Sequence, residues 1–379
     1  MHYEENTTPT ILASKHNKYF IHQHSSPIPI LTHPIRGKGT ACTFSNYKPP
    51  SKNRQKAMTR HNGIDQFKIL ATISVISLHV GMYEGFHNIE ISTAIRLLGR
   101  WAVPFFFIAS GFFMAKVENT DRACKPLRKT IILFAISTLA MIPLNAIEYE
   151  FSNCMKMLIS SQLLLSGSHF HLWYLSSAIV GYASILTLEK INNKKISAAI
   201  AFATITAYCA ESYFPAGIIT TRHLSSIGLI YIGIVLRKKN FGGKAGIALC
   251  LIGITTQWIE CHALNRTFGH SLLAPQFLIG TIPFAIGMFE ISRNYTSTTH
   301  NILSKLGAKH SLFIYIFHPY ALYATEEINR LFFESIDNFI KDLTIVPITF
   351  LITLSFSIAM QSIIPQIHQL LNGETPSDL

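Results

Sequence analysis

The sequence has few charged residues. Aspartate, glutamate, lysine and arginine make up only 14% of its 379 residues, against roughly 25% in an ordinary soluble domain. Hydrophobic residues make up 49%, and the mean hydropathy is +0.30. This balance argues against a soluble protein and favours a membrane protein with several spans.

Paired cysteines and phosphate-binding loops are missing as well. The six cysteines show neither a CxxC pattern nor the spacing of metal ligands, and most lie in or beside apolar segments. We interpret them as buried reduced thiols, and we expect no metal site and no bound cofactor. The chain also has no glycine-rich phosphate loop, so a P-loop nucleotide site is excluded.

Apolar periodicity is absent from residues 1–61. This stretch holds nine lysines and arginines, two acids, several prolines and six histidines. Its composition predicts a disordered cationic tail, and it lacks the continuous apolar region of a secretory signal. An alternative is that translation starts at Met58, because "MTRHNGIDQFK" places basic residues just before the first apolar segment.

The formal net charge of +12 does not indicate a nucleic-acid partner. The basic residues sit in short runs between apolar stretches, which is the pattern of membrane loops. We therefore expect the lipid bilayer to be a partner and expect no binding to nucleic acid.

Ten apolar segments follow the tail, and a helix needs roughly 20 apolar residues to cross the hydrocarbon. They predict an all-α polytopic membrane protein, with about ten transmembrane helices in one bundle over residues 62–366 and a short C-terminal tail over 367–379. The segments are 64–83, 97–115, 129–147, 171–188, 196–211, 224–236, 244–261, 272–289, 310–325 and 343–365.

Charges in the joints between segments predict the orientation. With both termini cytoplasmic, the inner joints carry fifteen lysines and arginines, and the outer joints carry six. Aspartate and glutamate show the opposite distribution, with four on the inner side and eleven on the outer side. Because cytoplasmic loops are enriched in lysine and arginine, we predict that both termini are cytoplasmic.

Four stretches carry polar groups into the predicted membrane. His79 lies roughly 22 Å from the start of the first segment, and Arg100 reaches a similar depth on the returning second segment. His171 opens the fourth segment, and His318 lies within the ninth. Ionisable groups at such depth usually face a bundle interior or a wet cavity and indicate function.

Each of these residues also has a structural interpretation. His79 can be a hydrogen-bonding residue between helices, and Arg100 can extend to the outer interface. His171 and Trp173 fit an interfacial aromatic belt, and the His318–Pro319 pair fits a helix kink.

Four stretches together resemble the acyltransferase-3 family of bacterial membrane proteins. They are "GIDQFKILATISVISLH", "GRWAVPFFFIASGFF", "HLWYL" and "SLFIYIFHP", and the resemblance covers about residues 62–325. It implies a ten-helix O-acyltransferase of the bacterial inner membrane. The expected reaction moves an acyl group, most often acetyl, from cytoplasmic acyl-CoA to a hydroxyl of a surface polysaccharide or lipid-linked sugar.

The resemblance also implies roles for single residues. His79 matches the family's essential first-helix histidine, which would act as a base or carry the acyl group. Arg100 matches the arginine that opens the second-helix motif, where it would stabilise an oxyanion or hold an anionic part of the donor. Independently of the resemblance, Glu84, five residues after His79, is a candidate orienting partner for it. Substrate or donor binding falls to Arg96, Ser110, His171, Trp173 and His318.

A second interpretation stays open. The same stretches resemble the membrane part of serine racemases of the vancomycin-resistance type. That resemblance implies a transporter of a small solute such as an amino acid.

Overall fold

The computed structural model describes residues 61–80, 88–115, 120–148, 160–214, 220–295 and 302–372, without the side chains of 120–123 and 220. Backbone contacts divide the chain between Lys48 and Pro49, and every described residue belongs to the second unit. The predicted tail over 1–60, with the alternative start at Met58, lies outside the described residues, as does Glu84. All regular secondary structure within the described ranges is helical, as predicted.

The helices are numbered in chain order, and a 3₁₀ turn over Phe170–Leu172 lies between the fifth and the sixth. They are α1 (Asn62–His79), α2 (Ile89–Gly99), α3 (Ala102–Met114), α4 (Thr120–Glu148), α5 (Gln162–Ser166), α6 (Trp173–Ile191), α7 (Lys194–Tyr213), α8 (Thr220–Lys238), α9 (Gly243–Phe268), α10 (Thr281–Asn294), α11 (Ile302–Phe332), α12 (Asn338–Ile363) and α13 (Pro365–Leu371).

Five stretches of described helix are long and apolar enough to cross a membrane, which is the build of a membrane protein. Only 22% of the most apolar window of α12 is buried inside the bundle, so most of that helix is available to lipid. The number of ten spans and the side on which the termini lie stay predictions. The five stretches are Ile89–Met114, Cys124–Glu148, Phe170–Ile191, Gly243–Phe268 and Asn338–Ile363.

The ends of most predicted segments shift in the structure, and two segments differ in build. The second is broken at Arg100 and Trp101, which form a turn between α2 and α3. The eighth was predicted to start at 272, but α10 starts at Thr281 and its 14 residues span only about 21 Å. The loop ahead of α10 contains Pro275 and is held by the Glu260 carboxylate, which accepts hydrogen bonds from two backbone N–H groups.

Helix α1 packs against α2, α3, α10, α11 and α12. Small residues set the closest approaches. Any Cβ at Gly111 of α3 would collide with the Ile230 carbonyl of α8, and any Cβ at Gly233 of α8 would collide with the Ile108 carbonyl of α3. Reciprocal glycines of this kind let two membrane helices touch backbone to backbone. The α3–α8 contact therefore fixes the position of α3 in the bundle.

Candidate functional site

Four histidines from three parts of the chain meet in one place, which we call the histidine cluster. His79 is the last residue of α1, His169 and His171 flank Phe170 at the start of the 3₁₀ turn, and His318 lies in α11. The His79 and His318 rings stack with centroids 5.2 Å apart and an interplanar angle of 24°. The His171 ring meets His318 edge-on at 5.3 Å, and His169 lies 4.8 Å from His171.

A proline fixes the hydrogen bonding of His318. Pro319 lies inside α11 and has no N–H to donate to the carbonyl four residues earlier, which is that of Tyr315. The His318 Nδ1–H donates to this carbonyl at 2.8 Å. The other ring nitrogen, Nε2, is buried and has no hydrogen-bond partner within the described residues. In neutral His318 this nitrogen therefore carries a lone pair inside the bundle.

His171 uses the next carbonyl of the same helix. Its Nε2–H donates to the Ile316 carbonyl at 3.1 Å, and the Tyr315 hydroxyl donates to the His171 carbonyl. Both bonds tie the 3₁₀ turn to α11 just before Pro319. The buried His171 ring is thus held in a fixed orientation against His318.

His169 connects the cluster to a carboxylate. Its Nδ1 lies 2.7 Å from Nδ1 of His171, and its Nε2 lies 3.5 Å from Oε2 of Glu148 at the end of α4. The His169 side chain is almost wholly buried, whereas the Glu148 side chain is 25% exposed. Glu148 is therefore the end of this chain of groups that opens towards the surface.

His79 is the least constrained member of the cluster. It is half-buried, and its ring contacts His318 and Phe170, the latter at 5.1 Å. The part of the chain that the structure describes offers the His79 nitrogens no hydrogen-bond partner. The positive charge of Arg96 also acts on the ring. His79 is thus positioned by stacking, with its nitrogens free to bind another molecule.

Arg100 does not join the cluster. Its guanidinium donates to the Gln276 carbonyl at 2.8 Å and lies 3.3 Å from the Gln276 side-chain oxygen. The side chain is 8% exposed, and its Nε–H has no partner among the described residues. Arg100 therefore fastens the break between α2 and α3 to the loop before α10, while Arg96 lies within electrostatic range of both His79 and Arg100.

Ser110 and Trp173 face other neighbours. Ser110 lies within hydrogen-bonding reach of the Tyr174 and Tyr182 hydroxyls of α6. The Trp173 ring packs under the Arg222 guanidinium, 5.3 Å from the ring centre. The fold thus brings together three of the predicted site residues, whereas Arg100, Ser110 and Trp173 contact other side chains.

Sequence reasoning missed two members of the site. His169 stands two residues before His171, and the repeated histidine in "HFH" was an available signal. Glu148 carried no signal, because its position opposite His169 depends on how α4 ends. Within the described residues, no group of three histidine, cysteine, aspartate or glutamate side chains is arranged to hold a metal ion.

The opposite end of α1 lies beside a second polar region, which we call the arginine end. It surrounds Phe112 at the end of α3, with Arg237 of α8 at 4.7 Å from the ring centre and Arg293 of α10 at 6.0 Å. Arg293 is paired with Glu290 at 2.8 Å and donates to backbone carbonyls. Arg237 has no carboxylate or hydrogen-bond partner in the described part of the chain. Among the described residues, the Phe112 ring is what faces this charge.

A profile of the acyltransferase-3 family, described as an acyltransferase domain, matches residues 61–361. The match covers most of the chain and contains the histidine cluster and the arginine end. The class of protein is thus a membrane acyltransferase. The chain belongs to the acyltransferase-3 family, as its sequence motifs predicted.

Three curated relatives are racemases. The chain is 26% and 28% identical to two amino-acid racemases of Enterococcus faecalis, over 41% and 38% of its length. It is 26% identical to a serine/alanine racemase of Enterococcus gallinarum over 34% of its length. The matched regions cover 22%, 22% and 20% of the relatives, so the chain spans only about a fifth of their length. No solved structure matches the chain.

Proposed function

We propose that the protein is an O-acyltransferase that moves an acyl group, most simply acetyl, from cytoplasmic acyl-CoA to a hydroxyl of a surface polysaccharide or lipid-linked sugar. The observation that carries the proposal is the stacked pair of His79 and His318. These two imidazoles have nitrogens without partners in the described bundle. Basic nitrogens of this kind are what an alcohol needs to become a nucleophile near neutral pH.

The reaction balances with histidine as the only proton carrier. The acceptor hydroxyl gives its proton to His79, its oxygen attacks the thioester carbonyl, the carbon–sulfur bond breaks, and the proton passes to the departing thiolate. In the other form of the mechanism, a His79 nitrogen takes the acyl group first and hands it to the hydroxyl. His318, with its lone pair on Nε2, accepts a hydrogen bond from the acceptor hydroxyl or relays its proton.

The donor enters from the arginine end in this proposal. Both termini are cytoplasmic, ten helices cross the inner membrane, and Arg237 binds the donor's phosphates because it lacks a carboxylate partner in the described bundle. Lys68, near the start of α1, is eleven residues or about 16 Å from His79. The thioester arm of the donor covers this distance inside the bundle.

The other predicted site residues bind or position the substrates along the route of the donor in this proposal. Arg100, whose Nε–H has no partner among the described residues, holds an anionic group of a substrate or stabilises the oxyanion, and Arg96 supports the same charge. Ser110 and the two tyrosines near it line the donor's path. Trp173, beneath Arg222, offers an aromatic surface to the sugar, and His171 forms a wall of the site.

The proposal is tested with the purified protein in lipid nanodiscs, radiolabelled acetyl-CoA and a glycan fraction from the source cells. His79→Ala should abolish labelling of the glycan. His262→Ala is the matched control, because His262 lies on α9 and pairs with Glu90 at 2.9 Å. Normal labelling by a folded His79→Ala protein would overturn the assignment of His79.

A second candidate is the transport of a small solute such as an amino acid, which the resemblance to serine racemases implied; the matched relatives are amino-acid and serine/alanine racemases. The two candidates differ in what they consume. Nanodisc protein that transfers acetyl groups supports the first. Proteoliposomes that take up radiolabelled serine or alanine without consuming acetyl-CoA would support the second and exclude the first.

A further inference from the structure

Arg222, near the start of α8, is a cation that no carboxylate neutralises among the described residues. Its guanidinium lies over the Trp173 ring, 5.3 Å from the ring centre, and its Nη2–H donates to the Ser166 hydroxyl at 3.0 Å. Its Nε–H is buried and makes no hydrogen bond within the described ranges. The tryptophan and the serine orient the guanidinium, but they leave its charge uncompensated.

Tyr208 of α7 connects Arg222 to Arg100. The charges of both arginines act on the Tyr208 hydroxyl. Arg100 donates to the Gln276 carbonyl, and the next residue, Phe277, stacks on the Tyr208 ring with centroids 4.6 Å apart. The part of the chain that the structure describes offers this hydroxyl no hydrogen-bond partner. Two arginines and a hydroxyl with capacity to bind thus belong to one polar region.

Two cations without an acid are costly in these surroundings. Arg100 is 8% exposed and Arg222 is half-buried, and neither forms an ion pair with a described carboxylate. Like charges repel more strongly where the dielectric is low, and charges inside a membrane protein usually serve function. An anion with two or more oxygens would offset this cost, because each arginine has a buried Nε–H without a partner in the described bundle.

We propose that Arg222, Arg100 and the Tyr208 hydroxyl form a second anion site, which binds the acidic group of the acceptor sugar. The proposal rests on the acyltransferase function given above. It makes the acceptor an acidic sugar, bearing a carboxylate or a phosphate ester, rather than a neutral one. Of the two roles given to Arg100, it selects the binding of an anionic group of a substrate.

The position of Arg222 favours the acceptor over the donor. Arg222 and Arg237 both lie on α8, fifteen residues or about 22 Å apart, so Arg222 is distant from the proposed site of the donor's phosphates. Trp173, beneath Arg222, begins α6 two residues after His171 of the histidine cluster. An acidic group held at Arg222 therefore brings the rest of the sugar towards the cluster, where its hydroxyl is acylated.

The first experiment measures binding and does not depend on acyl transfer. The protein in nanodiscs of neutral lipid is titrated with two matched pairs of probes: a glucuronate-containing oligosaccharide with its carboxyl-reduced twin, and glucose 6-phosphate with glucose. We expect at least one acidic probe to bind about tenfold more tightly than its neutral twin, and that pair identifies the group as a carboxylate or a phosphate. Equal affinities within both pairs would overturn the proposal. Loss of the preference on adding phosphatidylglycerol would also overturn it, because the site would then hold a lipid headgroup.

Variants separate binding from folding. Arg222→Gln should abolish the preference for the acidic probe, and Arg222→Lys should keep part of it because the charge remains. Tyr208→Phe should weaken binding of the acidic probe by about threefold, since it keeps the ring that stacks on Phe277 and removes only the hydroxyl. Arg266→Gln is the matched control, because Arg266 is an exposed arginine on α9. An unchanged preference in folded Arg222→Gln, or an equal loss in Arg266→Gln, would contradict the assignment of Arg222.

The second experiment measures the consequence for transfer to the glycan fraction. Arg222→Gln should raise the KM for the acceptor by about tenfold, in line with the lost preference in binding, and should leave the KM for acetyl-CoA unchanged. A rise confined to the KM for acetyl-CoA would place Arg222 in the donor site and overturn the proposal. If the wild-type protein transfers no acyl group, the proposed function fails, while the binding measurements still decide whether the anion site exists.

Discussion

The histidine cluster and the arginine end differ in the kind of group that each brings together. The cluster consists of imidazoles whose protons are assigned by carbonyls and by each other. The arginine end consists of permanent cations set over the Phe112 ring. Groups that can gain or lose a proton suit bond-making chemistry, whereas fixed charges suit the recognition of anions.

Helix α1 joins the two regions, since it carries Lys68 near one and ends with His79 in the other. In the proposed reaction the two regions divide the work along this helix: the cations at one end hold the donor, and the imidazoles at the other end transfer the proton. Variants at the two ends should therefore change different kinetic constants.

The largest effect after that of His79→Ala is expected for His318→Gln. Glutamine keeps polarity at this position but removes the basic nitrogen, so kcat should fall by about a hundredfold or more, as for the loss of a general base. Acyl transfer from acetyl-CoA by the nanodisc protein is the measurement. His310→Gln is the control, because His310 is also buried on α11 but is hydrogen-bonded to Ser357. An equal fall in kcat in His310→Gln would show that the loss in His318→Gln is not specific to the cluster.

A smaller loss is expected for Pro319→Ala. The alanine N–H can take the Tyr315 carbonyl that His318 now uses, so His318 loses its fixed tautomer. We expect kcat to fall by about tenfold, with thermal stability equal or higher because the helix gains a hydrogen bond. Steady-state kinetics and a thermal melt check both. Unchanged kcat would show that the kink does not set the state of His318.

The smallest effect is expected for a variant at the arginine end. Arg237→Gln should raise the KM for acetyl-CoA by several-fold and leave kcat nearly unchanged, because Arg237 is partly exposed and an ion pair in such a place is worth up to about 1 kcal/mol. Lys239→Gln is the control, since Lys239 is a nearby exposed cation on the same joint. A fall in kcat without a change in KM would contradict the division between the two ends.

The sequence predicted the helices well but not their interruptions. Apolar runs indicate helices because a membrane leaves no other way to satisfy the backbone. The turn at Arg100 and Trp101 and the late start of α10 depend on local contacts, such as those of Glu260 with the loop before α10. Hydropathy alone does not report such contacts.

The sequence predicted only part of the candidate site, again because it does not report contacts between distant residues. His79, His171 and His318 were recognisable because polar residues are rare in apolar segments and because they lie in family motifs. Their contact depends on the packing of α1 and the 3₁₀ turn against α11. Arg100 shares the predicted depth of His79, but depth does not give direction around the helix axis, and its side chain points to Gln276.

The sequence by itself determined the membrane class, the family and the residues able to do chemistry, since composition, charge and motifs are properties of the chain. Only the tertiary structure decided which nitrogens are free. It brought the Ile316 carbonyl of α11 to His171, and it set Glu148 beside His169. Protonation follows from such contacts between distant residues, because each hydrogen bond fixes a donor and an acceptor.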